Sequence, residues 1–246
     1  CAYQQVPHCW IIRNAASKVP PFSYDGRLHA AAGLPRSQKI LLYHGGFTAH
    51  RGLATLVRAG FLLPQGWSLV LMGWGPLQQE LEKIATAEKL KRSPDDSTKV
   101  VFVPRVPREE LHFWSAGGSV GIIPYENNVL NHWICSPNKL WEFPISGVPI
   151  LVQPFPELRR VVETYSCGWI LPEEYSAAAI VALIASLSDE EVARAKACCS
   201  AFVNADNWDD TYERRLVEFY GSLEMTKRVK QGPQWVSSAN TGAVIK

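Results

Sequence analysis

The chain has 246 residues, of which 47% are hydrophobic, so one large domain can bury a sizeable core. Its formal net charge of +2 gives no electrostatic case for a nucleic-acid partner, which would require a basic stripe. No apolar run approaches the roughly 18 residues that a membrane-spanning helix needs.

The six cysteines do not indicate a metal site. None forms a Cys-x-x-Cys pair, and none is spaced with histidine as in a zinc site. We therefore expect small buried thiols in a reducing compartment, which agrees with a cytoplasmic location.

The chain in order begins with a short apolar segment, residues 9–14, which we predict to be a strand followed by a polar turn. From residue 39 onward, short apolar runs alternate with helical patterns. Strands are predicted at residues 39–43, 67–72, 100–103, 120–123, 148–152 and 168–171. Helices are predicted at residues 25–32, 52–62, 77–90, 108–115, 136–143, 157–163, 176–187, 189–202 and 208–223.

This alternation predicts an α/β fold with a doubly wound, Rossmann-like parallel sheet of six strands. The strands are almost continuously apolar, as expected when both faces of a sheet are covered. Ligands of such folds bind beyond the carboxyl ends of the strands. The loops that follow the strands are therefore where a functional site is expected.

The loop after the first of these strands contains a glycine pair and an arginine. Gly45 and Gly46 would let backbone N–H groups come close to a ligand. Arg51 stands where the next helix begins, a position at which a cation opposes the helix dipole unless an anion is bound there. A plain tight turn would also explain the glycines, and the loop matches neither a Walker A nor a G-x-G-x-x-G motif.

Residues 136–143 are predicted to be a short helix that carries polar groups to the site. Ser136 is suited to cap it, and Pro137 suits the first helical position. Lys139 then lies at the end of the helix where a cation is unfavourable without an anion. A surface pair of Lys139 with Glu142 is the alternative, and the helix alone does not separate the two.

Other polar residues near the strand ends are candidates of lower specificity. Arg105 and Val106 follow the third strand, where a backbone amide pair could contact a base edge, although a solvated arginine is an equal alternative. His132 lies just before Ser136 and could face a ligand, but a lone histidine is more often structural. Glu142 shares a helix face with Asn138 and Lys139, and a carboxylate there could accept hydrogen bonds from a ribose diol.

The sequence shows no Ser-His-Asp or Cys-His arrangement, no paired carboxylates and no metal cluster. The visible groups are suited to stabilising negative charge, which favours electrostatic over nucleophilic catalysis.

Several of these motifs resemble the C-terminal, donor-binding domain of GT-B fold glycosyltransferases, in particular the retaining family 4 (group 1) type. The most specific part is residues 136–142, which are similar to the S-P-N-K-L-x-E run of one bacterial subset, followed by a G-V-P segment and P-E-L-R. Residues 45–52 resemble the family's G-x(5)-[RK]-G loop, and residues 73–76 resemble its G-x-G-P turn. The resemblance covers about residues 9–222.

The resemblance implies roles for the matched positions. Arg51 and Lys139, with the backbone N–H groups of Asn138 and Lys139, would contact the diphosphate of a nucleotide-sugar donor. Glu142 matches the second glutamate of the family's E-x7-E pair and would hold the ribose hydroxyls. The loop at Arg105 would border the base, and no metal or other cofactor is implied.

The chain also departs from the family pattern. Ile134 occupies the position of the first glutamate of the pair, which leaves the donor-sugar contacts to the backbone at Cys135 and Ser136 or to His132. Gly46 stands where an arginine is frequent, so one cation that would contact the diphosphate is absent. Pro144 is expected to interrupt and kink the helix.

The leading hypothesis is a donor domain that binds a nucleotide-diphospho-sugar and transfers the sugar, with retention, to an acceptor. The chain does not begin with Met, so we expect a fragment: residues 1–14 as an interdomain connection, 15–223 as the donor domain and 224–246 as a disordered tail. A glycan or lipid-linked acceptor would bind to an N-terminal domain that the fragment lacks, with peripheral association at the inner membrane face.

Two other functions remain open from the sequence. One is a non-catalytic nucleotide-binding module that docks on a separate acceptor subunit. The other is a nicotinamide-dependent oxidoreductase on the same class of sheet, against which the missing G-x-G-x-x-G motif argues.

Overall fold

The computed structural model describes residues 10–92 and 99–222. They form a six-stranded parallel sheet with the strand order β3-β2-β1-β4-β5-β6. The strands are β1 (Lys39–Gly46), β2 (Trp67–Trp74), β3 (Val100–Pro104), β4 (Val120–Ile123), β5 (Ile150–Val152) and β6 (Gly168–Ile170). All six predicted strands are confirmed, and the order reverses beside β1 as in a doubly wound sheet.

Helices cover both faces of this sheet. They are α1 (Arg27–Ala32), α2 (Leu53–Gly60), α3 (Gln78–Leu90), α4 (Leu111–Ser115), α5 (Leu130–Trp133), α6 (Lys139–Ile145), α7 (Pro156–Tyr165), α8 (Ala177–Ser186), α9 (Asp189–Ala205) and α10 (Glu213–Ser222). A 3₁₀ turn (Arg108–Glu110) precedes α4, and a π-helical turn (Trp208–Tyr212) precedes α10. The four-residue α5 was not predicted, because its length is too short for a helical period to show.

Side chains of the central strands alternate between two apolar cores. Ile40 and Leu42 of β1 pack in the core that contains α6, whereas Leu41 and Tyr43 pack in the core that contains α2 and α8. This alternation follows from the two-residue period of a strand. His44 continues the even-numbered series, so its ring is directed to the α6 side, where it packs on Phe143 with ring centroids 4.2 Å apart.

The predicted strand at residues 9–14 is wrong for the part that the structure describes. Residues 10–14 form no strand: Trp10 packs against the last helix, Ile11 is exposed, and only Ile12 packs against the core. The ring of Trp10 lies 6.2 Å from that of Phe219, and Arg215 donates to the carbonyl of Ile11 at 3.5 Å. The predicted connection at residues 1–9 and tail at 224–246 lie outside the described residues.

A group of paired charges, here called the anchor network, joins this first segment to the rest of the domain. Arg13 lies 3.0 Å from a Glu157 carboxylate oxygen and donates to the Tyr212 hydroxyl at 2.7 Å. Tyr212 in turn donates to Asp206 at 2.9 Å. Arg160 pairs with Glu157 at 2.8 Å and lies 3.7 Å from Asp206. Each of the two arginines therefore faces both carboxylates.

No helix among residues 10–92 and 99–222 is both long enough and apolar enough to cross a membrane.

Candidate functional site

A cleft of about 710 Å³ opens at the carboxyl ends of β1, β2 and β3 and is closed on one side by α6. This is the edge at which the sequence predicted a ligand. Seven of the predicted site residues line it: Gly45, Gly46, Arg105, Val106, Asn138, Lys139 and Glu142.

The strand ends in this cleft pack so closely that two positions accept only glycine. A Cβ atom on Gly73 would lie 1.9 Å from the carbonyl oxygen of Gly45, its partner across the strands. A Cβ atom on Gly45, whose φ is 121°, would lie 2.7 Å from the Lys139 ammonium. Gly45 thus leaves room for the lysine. At Gly46 a Cβ atom would meet nothing closer than 3.7 Å, so sterics do not require that glycine.

Lys139 begins α6, and its side chain is half-buried, so that the ammonium is partly desolvated at the wall of the cleft. This desolvation lowers the pKa of Lys139 to about 8. The ammonium lies 5.2 Å from the centroid of the Tyr43 ring and 5.7 Å from that of Tyr125. Lys139 forms no direct ion pair with Glu142 or with any other carboxylate of the described residues, although the Glu142 charge acts on it and opposes the fall in its pKa.

Arg51 lies beside Lys139, although it does not line the cleft. Its guanidinium carbon is 4.1 Å from the centroid of the Tyr125 ring, the same ring that the lysine faces. Its charge contributes to the lowered pKa of Lys139. Two cations thus share one aromatic ring, and neither has a carboxylate within ion-pair distance among the residues described. An anion bound between them would relieve their repulsion.

Glu142 lies one turn further along α6, and 21% of its side chain is exposed. Burial raises the pKa of this carboxyl, while the charges of Lys139 and Arg108 act against the rise. One carboxylate oxygen lies 3.8 Å from Nδ1 of His44. The carboxylate is therefore placed between the lysine and the histidine at the wall of the cleft.

His44 is a cleft residue that the sequence reasoning missed. Its side chain is almost fully buried, and burial together with the Lys139 charge lowers the pKa of the ring well below its usual value. Nε2 is buried without a hydrogen-bond partner. The sequence signal for a site residue was the position of His44 at the strand end, directly before the glycine pair. Because His44 also continues an apolar run, it resembled a core residue.

The opposite wall of the cleft is formed by the ends of β2 and β3. The Arg105 guanidinium lies 5.2 Å from the centroid of the Trp74 indole, which is 58% exposed. Arg108, at the start of the 3₁₀ turn, also lines the cleft. Trp74 and Arg108 were not predicted. A large aromatic residue between the two glycines of the G-x-G-P turn was the available signal.

The predicted capping role of Ser136 is wrong. The helix begins at Lys139, its N-cap is Asn138, and no side chain caps it. The backbone turns earlier by itself, since the N–H of Leu140 donates to the Pro137 carbonyl at 2.9 Å. Pro137 therefore precedes the helix instead of occupying its first position. The Ser136 hydroxyl is left buried without a partner.

Asn138 and Pro144 show how this short helix is held. The Asn138 side chain accepts a hydrogen bond from Asn14 at 2.9 Å, which joins the helix start to the first segment. Pro144 lies inside the helix, which ends one residue later, so the proline does not interrupt it before its last turn. Gly147, the residue after the C-cap Ser146, adopts the left-handed conformation, with φ 70°, which is typical of a glycine that ends a helix.

His132 is not brought to the cleft. It is buried on α5, where Nδ1 lies 3.2 Å from the backbone oxygen of Glu126. Its ring packs on Tyr125 with centroids 4.8 Å apart. These contacts agree with the alternative that His132 has a structural role. Ile134 nearby is exposed, so its side chain offers no polar contact to a sugar.

The described residues, which leave out 1–9, 93–98 and 223–246, contain no group of three or more His, Cys, Asp or Glu side chains placed to hold a metal ion.

The family model for glycosyl transferases group 1 matches residues 38–189, more than half of the chain. The chain belongs to this family. No curated protein matched the sequence. The matched range begins just before β1 and ends at the start of α9, so it includes the whole sheet and the cleft.

Solved structures of several glycosyltransferases and synthases share the fold of this chain. Anabaena Alr3699/HepE in complex with UDP and glucose has a TM-score of 0.67 at 16% identity, over 86% of this chain and 56% of that chain. WaaG, a glycosyltransferase involved in lipopolysaccharide biosynthesis, has a TM-score of 0.60 at 14% identity, over 81% and 54%. Sucrose-phosphate synthase from Thermosynechococcus elongatus has a TM-score of 0.59 at 23% identity, over 89% and 52%.

The group 1 chain spans about half of the length of these structures. Its sheet and helices match those of GT-B glycosyltransferases, as the sequence motifs predicted.

Proposed function

We propose that this group 1 glycosyltransferase chain binds a nucleotide-diphospho-sugar in the cleft and transfers its hexose with retention of configuration. The observation that carries the proposal is the half-buried Lys139 ammonium, which faces the Tyr125 ring together with Arg51 and has no carboxylate within ion-pair distance among the described residues. Two similar structures, those of Anabaena HepE and of S. aureus TarM, are complexes that contain UDP.

The diphosphate of the donor is the anion that we assign to this pair of cations. Negative charge grows on the diphosphate as the bond to the sugar breaks. Arg51 and Lys139 therefore bind the transition state more tightly than the ground state, which lowers the barrier. With a pKa of about 8, Lys139 is mostly charged at neutral pH, and its partly desolvated ammonium can form a strong charge-assisted hydrogen bond to an anion beside it.

The remaining cleft residues orient the donor. Glu142 accepts hydrogen bonds from the ribose hydroxyls, and Arg105 and Val106 border the base. Gly45 and Gly46 let the sugar-phosphate approach the backbone, and Pro137 and Asn138 shape the turn that leads to Lys139. The sugar itself is contacted by the backbone at Cys135 and Ser136. No metal ion is required in this scheme, because the two cations neutralise the diphosphate.

The acceptor is a glycan or a lipid-linked glycan, presented by an N-terminal domain of the kind that the family resemblance implies. We place the reaction in the cytoplasm, with peripheral association at the inner membrane face where the acceptor is lipid-linked. A non-catalytic nucleotide-binding module is the weaker alternative, because the family model that matches the chain is one of glycosyl transferases.

Calorimetric titration of the chain with UDP and with GDP tests the donor site. We expect at least one to bind, and the double variant Arg51→Ala, Lys139→Ala to lose about 100-fold or more in affinity, since each truncation at a charged contact costs about 2 kcal/mol or more. Lys83→Ala, Arg159→Ala removes the same charge from exposed positions and is the matched control. Absence of binding for both nucleotides at millimolar concentration, with the chain folded, would contradict the proposal.

A further inference from the structure

His44 is buried at the floor of the cleft, and its ring nitrogens have different surroundings. Nδ1 lies 3.8 Å from a Glu142 carboxylate oxygen. Nε2 is excluded from solvent and has no hydrogen-bond partner. The proposed function gives this histidine no part.

The surroundings of the ring select one protonation form. Phe143 packs on it, and the positive charge of Lys139 acts on it from the same helix. The charge of Arg108 also acts on the Glu142 carboxylate. A neutral imidazole carries one N–H, and an ionised carboxylate can only accept hydrogen bonds, so an unprotonated Nδ1 would oppose its lone pair to those of the Glu142 oxygens. The proton therefore belongs on Nδ1, where it faces the carboxylate.

We propose that His44 is a positioning residue that donates Nδ1–H to Glu142 and holds this carboxylate in the orientation that receives the ribose diol. The inference rests on the proposed function of the cleft. The distance of 3.8 Å is longer than a hydrogen bond, and rotation of the carboxylate toward the ring shortens it when the nucleotide is bound. Without this donor, Glu142 turns toward the ammonium of Lys139 and is lost to the ribose.

The geometry predicts a contrast between two amide substitutions. Asparagine places its side-chain N–H₂ near the position of Nδ1, whereas glutamine places it near that of Nε2. His44→Asn should keep the donor to Glu142, and His44→Gln should lose it. His44→Leu is a second variant without a donor, suited to the apolar series of Ile40 and Leu42 below it.

The test is the preference for ribose. Calorimetry compares UDP with 2′,3′-dideoxy-UDP, and GDP with 2′,3′-dideoxy-GDP, for the wild type and each variant. We expect the wild type to bind the nucleotide with the diol about tenfold or more tightly than the dideoxy nucleotide, because a hydrogen bond to a charged group contributes at least that factor in affinity. His44→Asn should retain most of it. His44→Gln, His44→Leu and the control Glu142→Gln should bring the ratio close to one.

The outcomes separate this inference from the proposed function. A wild type that binds neither nucleotide overturns the proposed function and this inference with it. A wild type that binds, with a ratio unchanged in the folded His44→Gln and His44→Leu variants, overturns only the role of His44. Nitrogen-15 NMR of the wild-type ring gives a measurement without substitution: protonated Nδ1 supports the inference, and protonated Nε2 overturns it.

Discussion

The anchor network and the cleft hold their positive charges in opposite ways. In the anchor network, Arg13 and Arg160 lie within ion-pair distance of both Glu157 and Asp206. At the cleft, Lys139 of its wall and Arg51 beside it face aromatic rings and have no carboxylate within that distance among the described residues. Paired charges thus join distant parts of the chain, whereas the proposed function assigns the two unpaired cations to the donor diphosphate.

Asp206→Ala should break the anchor network and give the largest effect. The side chain is 8% exposed, accepts hydrogen bonds from Tyr212 and Trp141, and faces two guanidinium groups. Removing one partner of a buried pair costs about 3–5 kcal/mol, so we expect a loss of about 3 kcal/mol in the free energy of unfolding, measured in urea.

The nucleotide affinity of the folded Asp206→Ala variant should stay that of the wild type. An unfolding free energy within about 1 kcal/mol of the wild type would mean that the anchor network is not structural, and the contrast with the cleft would fail.

Lys139→Met should stabilise the chain without ligand, most strongly at neutral pH. Burial lowers the pKa of Lys139 to about 8, from 10.5. Between these values the unfolded chain binds more protons than the folded one, so wild-type stability rises with pH. The pKa difference corresponds to about 3 kcal/mol of unfolding free energy. We expect the methionine variant to be more stable than the wild type by this amount below pH 8, and the advantage to disappear as the pH approaches 10.5.

Urea unfolding of both proteins at several pH values between 7 and 10.5 measures this difference. The exposed Lys83→Met serves as the control and should show no such change with pH. A methionine variant that is less stable than the wild type at pH 7 would indicate that the lysine has a structural role.

Arg105→Ala should weaken nucleotide binding by about 5-fold or more, since one stacking contact to a base is worth about 1–3 kcal/mol. The arginine lies over the exposed Trp74 and has no carboxylate partner in the described part of the chain, so stability should be nearly unchanged. Calorimetry checks the affinity, with Arg159→Ala as the control outside the cleft. Equal affinities for the two variants would remove Arg105 from the donor site.

Ser136→Ala should give the smallest effect, a change in unfolding free energy within about 0.5 kcal/mol, because its hydroxyl has no hydrogen bond to lose. Ser188 is the matched serine. Its hydroxyl accepts from the Glu191 N–H at 3.2 Å and caps α9, so Ser188→Ala should cost about 1 kcal/mol. Equal losses for the two variants would restore the capping role of Ser136.

The strands could be predicted because each is a short apolar run bounded by turn residues, whereas the one helix of similar composition, α8, is longer and rich in alanine. The cations of the site could also be predicted. Lys139 and Arg51 stand at helix starts, where a positive charge is unfavourable alone, and that anomaly is visible in the sequence. Because both residues follow parallel strands, the sequence also predicted that they lie at the same edge of the sheet.

The rest depends on contacts between distant parts of the chain. His44 could not be separated from core residues, because its role depends on Glu142, nearly one hundred positions later. The start of α6 was misplaced because the Ser-Pro pattern predicts a cap, whereas a backbone bond to Pro137 forms the turn instead. The anchor network joins Arg13 to Tyr212 across 199 positions, a distance over which no sequence pattern acts.

The exposed indole of Trp74 gives the cleft a fluorophore of its own. An indole in contact with water emits at longer wavelength than one enclosed in the core, such as Trp141. A nucleotide that covers Trp74 should shift or quench the red side of the emission while the core tryptophans stay constant. Occupancy of the cleft can thus be followed optically in the unlabelled protein.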